Sequence, residues 1–254
     1  MVRVVFLGFG NVNSKLCEAF LFAEKIKVVQ IYNRSQIELP KPLKNIDFTS
    51  DIHAISEADV YIIGISDDSI AQFSESLIFT DRLVAHTSGS VSVKSLSNKN
   101  RKGVFYPLQT FTKSREVDFT EIPICIEAEN ASDVDLLKKL AKTISQNVFE
   151  VSSEKREKLH VAAVFVNNFT NHLYHISEEI LKNESLPFDL LKPLISETAH
   201  KLKTLSPLEA QTGPAKRNDL KTIENHLHLL KEENHKNLYK QLTKSIQNAQ
   251  RKKL

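Results

Sequence analysis

The chain has 254 residues, a mass of 28.8 kDa, 41% apolar and 26% charged residues, and a formal net charge of +3. This balance is typical of a soluble globular protein, and the length predicts one large domain or two modest ones. The apolar runs are too short for a membrane span, and the small, scattered positive charge argues against a nucleic-acid partner. Cys17 and Cys125 are the only cysteines, so we expect no disulfide framework and place the protein in the reducing cytosol.

Apolar, β-branched runs alternate with helical spacing along the first 150 or so residues of the chain. Predicted strands lie at residues 2–7, 27–32, 59–65, 82–87, 103–106, 122–127 and 147–151. Predicted helices lie at residues 13–24, 52–58, 69–79 and 131–146. Strands that alternate with helices indicate a mostly parallel sheet with helices on both faces.

Beyond residue 152 the sequence predicts helices only. They lie roughly at residues 155–183, 187–204 and 219–250 and are separated by Pro187, Pro207 and Pro214. The predicted fold class is therefore α/β, with a Rossmann-like doubly wound sheet at residues 1–152 and an all-α domain at residues 153–254.

A dinucleotide fingerprint follows the first predicted strand, in the segment Gly8-Phe9-Gly10-Asn11-Val12-Asn13. Gly8 permits a tight turn, and Gly10 lets the backbone approach a pyrophosphate at the start of the next helix. Asn13 stands where the third glycine of the G-x-G-x-x-G pattern belongs, and that glycine normally allows close helix–strand packing. We interpret this segment as a dinucleotide-binding turn; the alternative is an ordinary tight turn.

The residues after the second predicted strand indicate the type of cofactor. NAD sites usually carry an acidic residue here for the ribose 2′-hydroxyl, but none occurs between Lys25 and Ile37. The chain has Asn33-Arg34-Ser35 instead, and a guanidinium with hydrogen-bonding neighbours suits a 2′-phosphate. The pattern favours NADP over NAD; the alternative for Arg34 is a solvated surface residue.

Two later strands are expected to end at the same edge of the sheet. Ile65 is the last residue of one of them, Ser66 and Asp67 follow it, and all three are predicted to contact the cofactor. The small residues of the segment 86–90 follow the other and would let a nicotinamide and a substrate approach closely. His86 is interpreted either as a hydrogen-bond donor in the site or as a buried histidine with satisfied bonds.

Residues 159–176 contain no Asp, Glu, Lys or Arg, which predicts a helix buried on most of its circumference, in the second domain or in a dimer. His160, Asn167 and Asn171 share one stripe of this helix, and Asn168 flanks the stripe. These groups either line a cleft that faces the nicotinamide or are satisfied by neighbouring backbone and solvent. No histidine and carboxylate spacing suggests a metal site.

The order of these segments resembles that of uncharacterised two-domain proteins, which join a Rossmann-like NADP-binding domain to a helical C-terminal domain of unknown function. The segments are GFGNV, NRS, ADVYIIGISDDSI, HTSGS, GVFYPLQTF, KLHVAAVFVNNF and TGPAKRND. Such proteins are similar in plan to pyrroline-5-carboxylate reductase, deazaflavin-dependent NADP reductases and β-hydroxyacid dehydrogenases. The resemblance implies a homodimer formed through the helical domains.

One feature of the β-hydroxyacid dehydrogenases has no counterpart here. Their long helix carries a catalytic lysine shortly before a pair of asparagines. Asn167 and Asn168 match that pair, but Ala163 and Val164 stand where the lysine belongs. His160, one turn earlier, is a substitute candidate for the proton donor, because an imidazole titrates near neutrality.

Together these features predict an NADP-dependent oxidoreductase that transfers a hydride to or from a small carbonyl, imine or hydroxy compound. The alternative is a dinucleotide-binding sensor or scaffold without catalysis, which the missing lysine favours. The residues predicted around the reacting carbon are His86, Ser88, His160, Asn167 and Asn168. The residues predicted to contact the cofactor are Gly8, Phe9, Gly10, Asn11, Val12, Asn33, Arg34, Ser35, Ile65, Ser66 and Asp67.

Overall fold

Eight strands form a single sheet in the computed structural model, which describes residues 1–251. The strands are β1 Val2–Leu7, β2 Ile26–Tyr32, β3 Asp47–Thr49, β4 Val60–Ile63, β5 Leu83–His86, β6 Arg101–Pro107, β7 Ile124–Ala128 and β8 Val148–Glu150. Their order is β3-β2-β1-β4-β5-β6-β7-β8, and all neighbours are parallel except β6 and β7. This Rossmann-like order, followed by a helical C-terminal region, confirms the predicted fold class.

Helices α1 Asn11–Leu21, α2 Asp67–Ser76 and α3 Ala131–Ala141 belong to the same unit as the sheet. Successive residues of β1 enter different hydrophobic cores, because side chains of a strand alternate between its two faces. One core contains Val4, Phe6, Leu16 and Phe20. The other contains Val5, Leu7, Tyr61 and Ile70. Burial on both faces explains why β1 and β4 are continuous apolar runs rather than alternating ones.

The region between β2 and β4 differs from the sequence prediction. The structure has a short strand at β3, which the sequence analysis did not predict because three partly exposed residues carry little apolar pattern. The helix predicted at residues 52–58 is wrong: only a single 3₁₀ turn forms, at Ile52–Ala54. Asp51 caps this turn through the backbone N–H of His53, and the chain becomes extended again at Ile55. Other 3₁₀ turns lie at Lys41–Leu43 and Val93–Ser95.

Contacts divide the chain into two compact units, Met1–Asn167 and Asn168–Leu254. The predicted boundary at residue 152 falls directly before helix α4, Ser153–Ala163, whose residues belong to the first unit. The helices of the second unit are α5 Thr170–Lys182, α6 Lys192–His200, α7 Pro207–Ala210, α8 Pro214–Arg217, α9 Leu220–Leu229 and α10 Glu233–Arg251, with 3₁₀ turns at Phe188–Leu191 and Lys201–Lys203. Within residues 1–251, no helix has the length and apolar character needed to cross a bilayer.

The long helix predicted at residues 155–183 is interrupted. A π-helical segment, Val164–Phe169, separates α4 from α5. Because a π-helix closes its hydrogen bonds one residue later than an α-helix, it changes the register between His160 and Asn171. The single stripe predicted for His160, Asn167 and Asn171 assumed a regular α-helix and is therefore wrong.

The uncharged stretch at residues 159–176 is mostly exposed in the single chain, so it is not a buried central helix of the second domain, and its burial in a dimer stays a prediction. Only Ile176 is buried, whereas Val161 is 54% and Val166 is 76% exposed. Further large apolar residues are exposed in the second unit: Phe169, Leu173, Ile180, Leu186, Leu190, Leu194, Leu202, Leu205, Leu220, Leu229 and Leu242. The lack of charge thus does not mark a core of the single chain. It marks an apolar surface of a kind that usually serves an interaction.

The side chain of Asn13 connects the ends of β1 and β4, which are the neighbouring strands where the strand order reverses. Its Nδ2 lies 2.8 Å from the carbonyl oxygen of Gly8, 3.1 Å from that of Ile62 and 3.3 Å from that of Leu7. The amide is fully buried, and a Cβ on Gly64 would lie 2.2 Å from its Cγ. The glycine that permits close helix–strand packing is therefore Gly64, directly after β4, and not residue 13 of the helix.

Restoring the fingerprint glycine should destabilise the protein. Asn13→Gly leaves three buried carbonyls without their shared donor and adds a glycine to a helix, so we expect the free energy of unfolding to fall by about 2 kcal/mol or more. Urea denaturation measures this loss. The control is Asn11→Gly, which changes an exposed residue of the same helix and should cost about 1 kcal/mol or less. Equal losses in the two variants would contradict the bridging role.

Candidate functional site

The turn after β1 has the geometry of an anion-binding site. Gly8 has a φ of +85°, and a Cβ there would lie 2.3 Å from Cγ2 of Ile65, so the turn requires glycine. Helix α1 begins after Gly10 with no side-chain cap and no acidic residue in its first turn. The N–H groups of that turn can therefore donate to a phosphate, which the helix dipole also favours.

Two adjoining cavities form a groove along the ends of β1, β2 and β4. One measures about 430 Å³ and is lined by Gly8, Tyr32, Asn33, Arg34, Ser35, Ile65, Ser66, Ser69, Gln72, Phe73 and Ser76. The other measures about 390 Å³ and is lined by Phe9, Gly10, Asn11, Val12, Asn33, Gly64, Ile65, Ser66 and Thr87. The groove thus brings together every residue predicted to contact the cofactor except Asp67. It lies where ligands bind in doubly wound sheets.

Asn33 braces the loops of the groove. Its Oδ1 accepts a hydrogen bond from the backbone N–H of Phe9 at 3.1 Å, and its Nδ2 donates to the carbonyl of Ser35 at 2.8 Å. The side chain of Asn33, which was predicted to contact the cofactor, is thus engaged in hydrogen bonds within the protein. Arg34 is exposed in the groove, and no salt bridge within the described part of the chain involves it. Arg34 and Ser35 are therefore the groups best placed for an anion here.

His86 is fully buried at the end of β5. Its Nδ1 accepts a hydrogen bond from the backbone N–H of Ser88 at 3.2 Å. Burial, aided by the positive charge of Arg156, lowers the pKa of His86 to about 4, so the ring is neutral at neutral pH. His86 is thus a buried, neutral histidine, but its bonds are satisfied only at Nδ1, because Nε2 is buried with no hydrogen-bond partner among the described residues.

Ser88 and Asp67 are held by contacts within the protein. Ser88 Oγ accepts hydrogen bonds from the N–H groups of Ser90 and Val91, at 3.1 and 3.0 Å, and so fixes the turn after β5. Ser90 Oγ in turn donates to the carboxylate of Asp67, the first residue of α2. These bonds join the start of α2 to the turn after β5 and hold the loops at this edge of the sheet in place.

Helix α4 places His160 beside the end of β6. The Nδ1 atom of His160 lies 3.1 Å from the hydroxyl oxygen of Tyr106. A Cβ on Gly89 would lie 2.5 Å from that nitrogen and 2.9 Å from Cζ of Tyr106, so the two rings can meet over the turn only because residue 89 is glycine. Tyr106 was not predicted as a site residue. Its position near the end of a strand, in the segment GVFYPLQTF, was the available signal.

A buried charge pair anchors the helix that carries His160. Arg156, one turn earlier, is fully buried and binds the carboxylate of Glu127 on β7 and the carbonyl of Val91 after β5. Ser153 Oγ donates to the same carboxylate at 2.7 Å. Removing one partner of such a pair typically costs about 3–5 kcal/mol, because the other charge stays buried. Arg156 was not predicted, because a segment as polar as SEKREK normally forms a solvated helix face.

Asn167 and Asn168 lie on the π-helical segment and are both exposed in the single chain. π-Helical turns occur frequently at functional sites, so the position of this pair is compatible with the predicted site role, but it does not identify that role. Within residues 1–251, no group of three or more His, Cys, Asp or Glu side chains is arranged to hold a metal ion.

Comparisons with known proteins place these features in a family. The model of the domain of unknown function DUF2520 matches residues 122–246. A crystal structure from Bacteroides fragilis, of a protein named "putative NADP oxidoreductase BF3122", shares 39% identity and a TM-score of 0.89, over 97% of this chain and 98% of that one. No curated protein matches the sequence.

More distant structures share the fold. Protein TM1727 from Thermotoga maritima has 22% identity and a TM-score of 0.76, over 98% of this chain and 99% of that one. A 1-pyrroline-5-carboxylate reductase from Streptococcus pyogenes has 11% identity and a TM-score of 0.64, over 97% of this chain and 98% of that one. At these identities the likeness concerns the fold, and it agrees with the plan that the sequence resemblance implied.

The buried His86 should make folding sensitive to acid. Its folded pKa of about 4 lies below the ordinary 6.5, so between these values the unfolded chain binds more protons, and stability falls as the pH falls. From pH 7 to pH 5, the free energy of unfolding should drop about 2 kcal/mol more in the wild type than in His86→Gln. The exposed His200→Gln variant should follow the wild type. Parallel pH profiles for the wild type and His86→Gln would show that His86 is not buried and neutral.

Proposed function

Because the chain belongs to the two-domain DUF2520 family, we propose that it is an NADP-dependent oxidoreductase that acts on a small carbonyl, imine or hydroxy compound. The observation that carries the proposal is the groove at the ends of β1, β2 and β4. It combines an uncapped helix N-terminus with an exposed arginine at the end of the second strand. The relative from Bacteroides fragilis, whose name refers to NADP, supports the same cofactor.

The residues of the groove fit a phosphorylated dinucleotide. Gly8 and Gly10 leave the backbone open to a pyrophosphate, which the first N–H groups of α1 would bind. Arg34 and Ser35 would bind the 2′-phosphate, because a guanidinium pairs strongly with a phosphate dianion. When bound, the nicotinamide would supply or accept the hydride, while the protein orients the substrate and donates hydrogen bonds.

The turn after β5 is where we place the substrate. Thr87, which directly follows β5, lines the groove, and the partly buried ring of His160 packs against Gly89 in the same turn. We therefore assign His160 the role of donor to the oxygen or nitrogen at the reacting double bond. His86 supports the turn from beneath instead of touching the substrate. Asn167 and Asn168 remain candidates for holding the substrate.

A sensor or scaffold without catalysis is the second candidate function. It is favoured by Ala163 and Val164, which stand where β-hydroxyacid dehydrogenases carry their catalytic lysine. It also agrees with the internal hydrogen bonds of Ser88, which occupy a hydroxyl otherwise available to a substrate. NADPH oxidation in the presence of candidate carbonyls and imines decides between the two functions.

We further propose that the protein is a homodimer formed through its helical unit. Apolar side chains are exposed along most helices of that unit, and residues 159–176 carry no charge that would oppose association. A second copy of the chain is the partner that covers such a surface without any other component. Burial in this dimer interface would remove the apolar side chains of the uncharged stretch from water.

Cofactor preference tests the groove. NADPH should bind more tightly than NADH, and Arg34→Ala should remove most of the difference, because an arginine–phosphate pair contributes roughly 1.5–3 kcal/mol, or one to two decades in Kd. Calorimetry with both cofactors measures the effect. Arg115→Ala, which removes an exposed arginine that does not line the groove, is the control and should keep the preference. Equal affinities of the wild type for the two cofactors would refute the assignment.

Assembly is tested by placing a charge on the apolar surface. Light scattering should show a dimer of the wild type at tens of micromolar. Leu194→Asp, which changes a 62% exposed residue of the second unit, should raise the Kd of the dimer tenfold or more, since burying an unpaired charge is costly. The matched control is Phe22→Asp, because Phe22 is 84% exposed but lies in the first unit. A monomeric wild type, or equal weakening by both variants, would contradict the proposed interface.

A further inference from the structure

The two ring nitrogens of His160 have different surroundings. Nδ1 is engaged by the hydroxyl of Tyr106 at 3.1 Å, and the rings meet nearly edge to face, with 6.0 Å between centroids and 72° between planes. Gly89 lies against the same nitrogen, where even a Cβ would clash. Nδ1 is therefore enclosed by the first unit, which leaves Nε2 as the ring nitrogen that can meet a ligand.

The hydroxyl of Tyr106 keeps its proton at physiological pH. The side chain is buried between the sheet and α4, and burial raises the pKa of Tyr106 to about 12. With this proton the phenol can donate to the free electron pair of Nδ1 in a neutral imidazole, and in that arrangement the ring's single proton lies on Nε2. When the ring is protonated twice, the hydroxyl rotates and accepts from Nδ1–H, and Nε2 again carries a proton.

We propose that Tyr106 is a positioning residue that holds Nδ1 of His160, so that Nε2 always presents an N–H to the substrate. This inference rests on the proposed oxidoreductase function and identifies Nε2 of His160 as the atom that contacts the substrate. The N–H would donate a hydrogen bond to a carbonyl oxygen or imine nitrogen and stabilise the negative charge that develops there. The substrate class is thereby restricted to compounds with an acceptor atom on the reacting carbon.

The surroundings of the pair support a positioning role. Arg156 ties α4 to β7 and to the chain after β5, so the helix that carries His160 cannot rotate away from Tyr106 without breaking a buried charge pair. Because residue 89 is glycine, no side chain there separates the two rings. A histidine fixed at one nitrogen and anchored through its helix is preorganised, which is what a donor to a developing charge requires.

Nitrogen NMR tests the arrangement without any substrate. In ¹⁵N-labelled protein at a pH where the imidazole is neutral, His160, identified by the signal lost in His160→Gln, should carry its proton on Nε2 and show a hydrogen-bonded Nδ1. Tyr106→Phe should move the Nδ1 resonance to that of a nitrogen without a hydrogen bond. A proton on Nδ1 in the wild type would overturn the inference, since Tyr106 would then accept and Nε2 could not donate.

Kinetics with an active substrate tests the consequence. Tyr106→Phe should lower kcat about tenfold and leave the KM for NADPH unchanged. The double variant with His160→Gln should have the same kcat as His160→Gln alone, because both changes remove the same interaction. Multiplied losses in the double variant would show that Tyr106 acts independently and would overturn the positioning role. The variants should melt at the same temperature as the wild type, which excludes unfolding as the cause of the lower kcat.

The chain offers a matched control for this pair. In the helical unit, Nδ1 of His226 lies 2.8 Å from the hydroxyl of Tyr239, and Tyr239→Phe should leave kcat unchanged. An equal loss of kcat in Tyr239→Phe would show that the effect at Tyr106 is not specific and would overturn the inference. Failure to bind NADPH would instead refute the proposed function, and with it the role toward a substrate, while the NMR result for the wild type would still stand.

Discussion

The side-chain amide of Asn13 joins the two strands between which the strand order of the sheet reverses. It donates to carbonyls at the ends of β1 and β4 and occupies the space that a Cβ of Gly64 would need. With this bridge in place, α1 starts directly at the crevice, and its first N–H groups face the position where an anion would lie. The groove, and with it the proposed cofactor site, depends on this contact.

A second constraint acts at the other end of the site. The buried Arg156–Glu127 pair connects α4, β7 and the chain after β5, and it fixes the helix one turn before His160. Burial lowers the pKa of His86, and the positive charge of Arg156 lowers it further, whereas Glu127 acts in the opposite direction. The pair is weak evidence for stability, because desolvation offsets its attraction, but it holds His160 against Tyr106.

Sequence patterns predicted the sheet and the groove well because both depend on local features. An apolar run, a Gly-x-Gly turn and the absence of acid near Arg34 each lie within one short segment. Contacts between distant segments were not predictable in the same way. Tyr106 and His160 meet only because β6 and α4 pack together, and the charge of Arg156 gives no hint of burial. The π-helical segment has no clear sequence signature, so the stripe predicted on a regular helix was wrong.

The central claim is that the groove along β1, β2 and β4 holds NADP. A crystal structure of the protein grown with NADPH tests it most directly. The account predicts the pyrophosphate at the start of α1, beside Gly10, and the 2′-phosphate within hydrogen-bond distance of Arg34. A dinucleotide bound elsewhere, or an adenosine end whose 2′-phosphate points away from Arg34 into solvent, would contradict it.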